Sequence, residues 1–203
     1  ILPNVKTVFH LACLGVRHSL HDPTENHSVN ATATLHLLAE ARRANVERFV
    51  HVSTSEVYGD ARTVPMNEDH PLQPNTVYGA AKLAGEAYAR AAYLTHRFPV
   101  TIIRPFNTYG PRSHHEGDSG EVIPKFLLRA LAGKPLLVFG DGKQTRDFSY
   151  VDDIAHGIAV AGKSSRCLGR TINLGSGKEI SINALAQLIG KVVGGEIKIE
   201  RHP

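Results

Sequence analysis

RFVHVST, at residues 48–54, is a short apolar run that ends in hydroxyl side chains, and helical patterns lie on both sides of it. Upstream, residues 30–46 carry apolar side chains at helical spacing, and the run VKTVFHLA at 5–12 predicts another buried strand. Downstream, a long Ala-rich helix is predicted over 76–97 and a third strand, VTIIR, over 100–104. This alternation predicts an α/β fold with a doubly wound parallel sheet.

The second half of the chain has a different composition. Residues 107–120 are dense in Gly, Pro, Ser, His and Asp, which predicts a long surface loop of the kind that often carries binding residues. Beyond it the pattern predicts short alternating elements, namely a helix near 122–131, a strand at 136–139, a GDG turn at 140–142, a helix at 152–161, a strand at 171–174, a helix at 183–193 and a strand at 197–200. This half is predicted to be a smaller, mixed α/β lobe.

Composition excludes several classes of function. Apolar residues make up 42% and charged residues 21% of the 203, and no stretch approaches the roughly 18 unbroken apolar residues of a membrane span. The first ten residues lack a secretory signal, so we expect a cytoplasmic protein. The net charge is +4, but the basic residues are scattered without aromatic interleaving, which argues against nucleic acid and fits a diphosphate-bearing substrate.

The cysteines and histidines do not predict a metal site or a disulfide framework. Cys13 and Cys167 lie far apart and form no CxxC motif. Twelve histidines are present, but none belongs to an HExxH motif, and His114 and His115 lie in a Gly-containing segment without a second ligand pair. We therefore expect no bound metal.

Tyr78 and Lys82 are candidates for proton transfer. They are spaced i, i+4 near the start of the predicted helix over 76–97, so their side chains share one helix face. A free tyrosine has a pKa of about 10, and a neighbouring ammonium favours the phenolate, which moves the phenol towards the working range of a base. A simple helix-surface contact remains an alternative, so the surrounding motifs must decide.

Five sequence blocks supply that context. They are HLAC at 10–13, STSEVYG at 53–59, YGAAK at 78–82, RPFNTYGPR at 104–112 and GDGKQTRDFSYVDD at 140–153. In order and approximate spacing they resemble the NAD-dependent nucleotide-sugar epimerase/dehydratase family of extended short-chain dehydrogenases, and they cover most of the chain. The resemblance implies a partial Rossmann-like NAD-binding domain with the catalytic residues at 1–110. It also implies a mainly nucleotide-sugar-binding lobe at 111–203, with segments that return to the main sheet.

The resemblance further implies roles for individual residues. Tyr78 takes the proton of the sugar 4-hydroxyl, Thr54 hydrogen-bonds that hydroxyl, and Lys82 also holds the nicotinamide ribose of a tightly bound NAD. Ala12 is expected to contact the cofactor, with Asn30 bracing that edge, although a purely structural role for Asn30 is equally open.

The expected substrate is a nucleotide diphosphate sugar, and the expected assembly is a homodimer. By the same resemblance, Asn107 and Arg146 are expected to contact the substrate diphosphate, for which a fork-shaped guanidinium is well suited. A solvated Arg146, or one paired with Asp147, is the alternative.

Glu56 bears on the type of reaction. In hexose dehydratases of this family, a Thr-Asp-Glu triplet supplies the acid and base for elimination, whereas here the triplet is Thr54-Ser55-Glu56. The missing Asp argues against a dTDP-glucose-type dehydratase. Thr-Ser-Glu resembles UDP-glucuronate decarboxylases and GDP-mannose dehydratases, and the presence of a glutamate argues less strongly against 4-epimerases. A solvent-facing Glu56 remains an alternative.

The family's GxxGxxG phosphate turn does not occur in this sequence. We therefore expect an internal fragment of a larger enzyme, with an N-terminally incomplete sheet whose edge at 5–12 would pair or aggregate and with weak NAD affinity in isolation. The alternative function is a non-catalytic truncated relic or a sugar-nucleotide-binding module.

Overall fold

A computed structural model describes residues 4–117, 120–195 and 197–203. The chain forms two compact units, of which the first is Ile1–Phe106 with Asp152–Leu174 and the second is Asn107–Val151 with Gly175–Pro203. The sequence-based domain assignment, with its boundary after residue 110, stays a prediction.

The helices and strands are numbered in chain order. They are β1 (Thr7–His10), α1 (Val16–His21), α2 (Pro23–His27), α3 (Ala33–Arg43), β2 (Arg48–Val52), α4 (Val77–His96), β3 (Val100–Pro105), β4 (Asn107–Tyr109), α5 (Val122–Leu131), β5 (Leu136–Phe139), β6 (Thr145–Tyr150), α6 (Val151–Lys163), β7 (Thr171–Leu174), β8 (Glu179–Ser181), α7 (Ile182–Val193) and β9 (Ile199–His202). A π-helical segment, Ser28–Thr32, joins α2 to α3, and short 3-10 helices span Ser55–Tyr58 and Ser165–Cys167.

The first unit contains a four-stranded parallel sheet in the order β1-β2-β3-β7. Because successive side chains of a strand point to opposite faces, β2 serves both faces of the sheet. Phe49 packs with α3 and α4 on one face, and Val50 packs with α6 on the other. Helices thus cover both faces, which confirms the predicted doubly wound α/β class.

Helix α4 carries the YGAAK motif, and its ends have clear local causes. Thr76 is its N-cap, and the Thr76 hydroxyl accepts a hydrogen bond of 3.0 Å from the Gly79 backbone N–H. Alanines dominate the interior and favour the helix, which ends at Arg97 in the left-handed conformation. One face of α4 buries Ala81, Gly85 and Ala89.

The second unit has its own core. Helices α5 and α7 pack around Phe126, Leu136, Val138 and Ile189, which are all buried. Strands β5 and β9 form a parallel pair, and β4, β6 and β8 form a three-stranded sheet in the order β4-β6-β8. In that sheet, β4 and β6 are parallel, whereas β6 and β8 are antiparallel.

The structure corrects several sequence-based element boundaries. The expected loop at 107–120 begins with strand β4, whose residues pair with β6, and neither β6 nor β8 was expected. The first strand is Thr7–His10 rather than 5–12, because its ladder with β2 covers only those four residues. The last strand is Ile199–His202 rather than 197–200. Within the described part of the chain, no helix combines the length and the apolar character that crossing a membrane requires.

Candidate active site

The carboxyl end of β2 leads directly into the turn that carries Thr54 and Glu56. Thr54 is the N-cap of the 3-10 helix Ser55–Tyr58, and its hydroxyl oxygen accepts a 3.2 Å hydrogen bond from the Glu56 backbone N–H. The turn ends at Gly59, whose φ of 67° is readily available only to glycine. This edge of a parallel sheet is where ligands bind in open α/β folds.

Helix α4 approaches this turn closely because residue 79 has no side chain. A Cβ at Gly79 would lie 2.8 Å from the Glu56 carbonyl oxygen and 2.9 Å from the Pro74 Cβ. The close approach brings Tyr78, which precedes Gly79, into contact with the turn. Thr54 and Glu56 both lie close enough to the Tyr78 phenol to affect its pKa.

The environment of Tyr78 favours the protonated phenol. Burial raises the pKa of Tyr78 well above its usual value of 10, the neighbouring Cys13 and Glu56 add to the rise, and the hydrogen bond from Thr54 opposes it. Because the Thr54 oxygen already accepts from Glu56, its hydroxyl proton is free to be donated to Tyr78.

The expectation that Lys82 lowers the pKa of Tyr78 stays a prediction, and the environment of Lys82 bears on it. Lys82 is only 1% exposed, and its ammonium donates a 2.7 Å hydrogen bond to the Val52 carbonyl at the end of β2. Burial lowers the pKa of Lys82, and the nearby Cys13 and Glu86 oppose that shift. The ammonium is therefore anchored at the carboxyl end of β2.

Two buried histidines lie under the site on the α4 side of the sheet. The rings of His10 and His51 are 5.6 Å apart, and His10 shares a 2.8 Å hydrogen bond with the Thr34 hydroxyl. Burial lowers the pKa of His10 to about 4, and the charge of Lys82 adds to the shift. The same two causes, in the same order, hold the pKa of His51 well below its usual value. Both imidazoles are therefore neutral near pH 7.

Asn30 braces the end of β1 instead of facing outward. It is 0% exposed, its amide oxygen accepts from the Leu14 N–H at 3.2 Å, and its amide nitrogen donates to the Leu14 carbonyl and to Asn26. Asn30 lies in the π-helical segment, a geometry often found at functional sites. Ala12, just beyond β1, is exposed. Ala12 is thus exposed at this edge of the sheet, while the Asn30 side chain is used to hold the backbone at Leu14.

The second unit carries the two residues expected to contact the diphosphate. Asn107 is half-buried on β4, and its register partner is Phe148 on the adjacent strand β6. Arg146 lies two residues before Phe148 and is exposed, with one guanidinium N–H donating 2.8 Å to the Thr145 carbonyl.

Asp147 does not pair with Arg146. Its carboxylate accepts hydrogen bonds from the backbone N–H groups of Ser176 and Gly177, at 2.9 and 2.8 Å. The guanidinium of Arg146 therefore remains available to an anion.

Thr54, Glu56, Tyr78 and Lys82 thus lie together in the first unit, and Glu56 is half-buried. Sequence reasoning missed Cys13, which lies close enough to Tyr78 to raise the pKa of the phenol. It also missed the role of Gly79, although a glycine in the first turn of an Ala-rich helix is a recognisable signal because it costs about 1 kcal/mol relative to alanine. The described residues contain no group of three potential metal ligands.

Comparison with known proteins shows which proteins this chain is similar to in sequence and fold. The sequence model of the NAD dependent epimerase/dehydratase family matches residues 2–175. The chain is 36% identical over 200 residues to a UDP-glucose 4-epimerase of Mycolicibacterium smegmatis, covering 98% of this chain and 63% of that protein. It is 38% identical over 206 residues to a UDP-N-acetyl-alpha-D-glucosaminuronate decarboxylase of Bacillus cytotoxicus, covering 97% of this chain and 62% of that one.

A solved structure shows the same fold. The dTDP-glucose 4,6-dehydratase of Streptomyces venezuelae, crystallised with NAD bound, superposes with a TM-score of 0.89 and 32% identity, covering 100% of this chain and 62% of that one. The chain therefore spans a little under two thirds of the length of each of these relatives.

The close approach at Gly79 can be tested by adding the missing methyl group. Alanine is intrinsically better than glycine in a helix, so Gly79→Ala would be stabilising if space allowed. We expect it instead to lower the free energy of unfolding by about 1–3 kcal/mol, as overpacking does, in urea denaturation. Gly195→Ala is the matched control, because a Cβ there meets nothing within 4 Å. Equal stability of Gly79→Ala and the wild type would show that α4 does not depend on this contact.

Proposed function

Because the chain belongs to the NAD dependent epimerase/dehydratase family, we propose that it acts in an NAD-dependent enzyme that oxidises a nucleotide diphosphate sugar at C4. The oxidised sugar is then epimerised, dehydrated or decarboxylated. The observation that carries the proposal is the proximity of Tyr78 to Thr54 and Glu56, one helical turn from the buried Lys82, at the carboxyl end of the sheet. The relatives named above support it, since they include an epimerase, a decarboxylase and a dehydratase.

Tyr78 is proposed to take the proton from the sugar 4-hydroxyl. Burial keeps the phenol protonated in this structure, so the base form requires groups that stabilise the phenolate. Thr54 is such a group, because its hydroxyl favours the ionised form of Tyr78. The same hydroxyl is proposed to hydrogen-bond the 4-hydroxyl of the sugar and thereby align it for proton transfer.

A bound NAD would supply the hydride acceptor for oxidation at C4. The residues of the first unit fit its nicotinamide end: Lys82 has three N–H donors and uses one of them on the Val52 carbonyl, and Ala12 is exposed at the end of β1. We propose that Lys82 and Tyr78 hold the nicotinamide ribose and that Ala12 contacts the cofactor. Asn30 acts on the same edge by fixing the backbone at Leu14.

Glu56 is proposed to take part in the step after oxidation. It is half-buried, and its charge contributes to the raised pKa of Tyr78, which supports a carboxylate within reach of the reacting region. A carboxylate there suits removal of the C5 proton or support of a decarboxylation, so the lyase reactions are favoured over a plain isomerase. The negative charge of Glu56 also raises the pKa of Tyr78, so the phenol holds its proton more strongly.

In the second unit, Asn107 and Arg146 are proposed to contact the substrate diphosphate. Arg146 is exposed and has no carboxylate partner among the described residues, because Asp147 is held by the backbone of the 176–177 turn. A free guanidinium fork binds phosphate oxygens through paired hydrogen bonds. We also propose a cytoplasmic location, since Cys13 and Cys167 are both free thiols, as expected in a reducing compartment.

A homodimer through α3 and α4 is proposed as the assembly. These helices lie side by side and line a groove with Leu35, Ala39, Tyr88 and Ala91, while Leu94 on α4 is 62% exposed. Small residues next to exposed leucines let a second copy of the same two helices pack closely around a two-fold axis.

The base assignment predicts a large kinetic effect of Tyr78→Phe in the full-length natural protein. Turnover with NAD and a UDP- or dTDP-sugar should fall by about 10²–10⁴-fold, while calorimetric affinity for the sugar nucleotide is retained. Tyr93→Phe, on the same helix, is the control and should leave turnover unchanged. Wild-type protein that binds sugar nucleotides without turning them over would support a binding module instead of an enzyme.

Arg146→Ala should mainly weaken substrate binding. Charge-assisted hydrogen bonds contribute about 1.5–3 kcal/mol, so the dissociation constant of the sugar nucleotide should rise by roughly 10- to 100-fold in calorimetry. Arg166→Ala removes the same charge from an exposed 3-10 helix and should change affinity little. Unchanged affinity of Arg146→Ala would rule out its contact with the diphosphate.

The dimer proposal is tested by placing a charge on the α3–α4 face. Leu94→Glu should convert the dimer to monomers in analytical ultracentrifugation, because a carboxylate would be buried unpaired in the interface. Leu20→Glu is the matched control, since Leu20 is 70% exposed on α1, which is not one of the two helices of the proposed interface. A protein that sediments as a dimer with Leu94→Glu would place its interface elsewhere.

A further inference from the structure

A buried ion pair joins the sheet to α4 next to the proposed catalytic residues. Arg104 on β3 donates hydrogen bonds to both carboxylate oxygens of Glu86 on α4, the shortest being 2.6 Å, and the two side chains are 1% and 2% exposed. A surface ion pair contributes little, but two charges held in a protein interior are kept in one geometry because separating them is very costly.

The same guanidinium also holds the end of the Thr54 turn. Arg104 donates 2.8 Å to the Tyr58 hydroxyl, and its guanidinium lies 4.8 Å from the centre of the Tyr58 ring. The Tyr58 hydroxyl in turn donates 2.7 Å to the amide oxygen of Asn173 on β7. Tyr58 is 1% exposed and is the last residue of the 3-10 helix that Thr54 caps.

The segment that follows the turn is anchored to the same group of residues. Arg104 donates to the Glu68 carbonyl, and the Asn173 amide nitrogen donates to the Met66 carbonyl. The Glu68 carboxylate accepts a 2.8 Å hydrogen bond from the Asn173 backbone N–H. The turn therefore cannot shift away from β3 and β7 without breaking several hydrogen bonds, of which the one from Arg104 to Tyr58 is buried.

Sequence spacing connects these contacts to the proposed chemistry. Glu86 is one helical turn after Lys82 on α4, and Tyr58 lies two residues after Glu56. Arg104 contacts Glu86 and Tyr58 at once, so one guanidinium joins the helix that carries Tyr78 and Lys82 to the turn that carries Thr54 and Glu56.

We propose that Arg104, Glu86 and Tyr58 are positioning residues that fix the Thr54–Glu56 turn against the Tyr78–Lys82 turn of α4, and this inference rests on the proposed function. None of the three is proposed to touch substrate or cofactor. Buried ion pairs can often be replaced by apolar residues without loss of stability. We therefore interpret the Arg104–Glu86 pair as fixing the position of the turn relative to α4 rather than as a source of stability. Displacing catalytic groups by about 1 Å can cost about 10²-fold in rate.

The test uses Tyr58→Phe in the full-length natural protein. It removes a single hydroxyl and keeps the ring, so the fold should survive while the contact of the turn with Arg104 and Asn173 is lost. We expect kcat to fall by about 10- to 100-fold with less than about a twofold change in KM. The hydrogen bond from Thr54 favours the Tyr78 phenolate, so its weakening should move the acid limb of the kcat profile to higher pH.

Two further variants separate positioning from general stability. Arg104→Lys keeps the positive charge but lacks the fork that reaches Glu86 and Tyr58 together, so it should show the same kinetic signature. Ile102→Val is the control: Ile102 is buried on the same strand, and the loss of a methylene group should lower thermal stability without moving the pH profile.

Amide hydrogen exchange supplies a readout that needs no substrate. Tyr58→Phe and Arg104→Lys should speed exchange in residues 54–59 and 76–79 more than elsewhere, whereas Ile102→Val should not. Uniform exchange changes, or variants with lower melting temperature but unchanged kcat and pH profile, would overturn the positioning role. Wild-type protein without turnover would contradict the proposed function alone, since the exchange comparison would still support or overturn the coupling.

Discussion

The packing of α4 against β2 and the Thr54 turn is the contact on which the rest of the first unit depends. Glycines make it possible at two points: Gly79 lies against the Glu56 carbonyl, and Gly85 lies where a Cβ would be 3.0 Å from the His51 ring. Because each glycine lacks a Cβ, α4 lies closer to the sheet at a point where a polar group is buried. That proximity lets the Lys82 ammonium reach the Val52 carbonyl from inside the protein.

This close packing also explains why so many polar groups are buried on the α4 side of the sheet. Strand alternation places His51 and Arg104 on the face that α4 covers, while Val50 and Ile103 face α6. The α6 side is mainly apolar, with residues such as Ile154 and Ile158, although it also buries Thr101. The two faces of the sheet differ in polarity because the polar groups on the α4 side connect to the turn and the helix that carry the proposed chemistry.

Much of the fold could be predicted from sequence where a strong pattern coincided with a stable element. The helix at Val122–Leu131 and the strands at Leu136–Phe139 and Thr171–Leu174 match the predicted ranges, because their apolar patterns are dense. Strand β4 was missed because the segment that follows it is rich in turn-forming residues. Strand β6, TRDFSY, was missed because it is polar and largely exposed, so its pairing with β4 and β8 left no hydrophobic alternation.

For the site, the sequence predicts which residues are near each other but not where their individual atoms lie. Helical spacing correctly placed Tyr78 and Lys82 on one face, but spacing does not determine where a flexible ammonium points. The charge of Lys82 lowers the pKa values of His10 and His51, in addition to the effect of burial, and it is not among the causes of the shift at Tyr78.

The group that favours the Tyr78 phenolate here is the hydroxyl of Thr54, a short side chain whose reach depends on the backbone that carries it. Because a hydroxyl on a one-carbon stem cannot compensate for a displaced backbone, the ionisation of Tyr78 depends on the position of the Thr54 turn. That position is held at its far end by Tyr58, and through Tyr58 by the buried charge of Arg104.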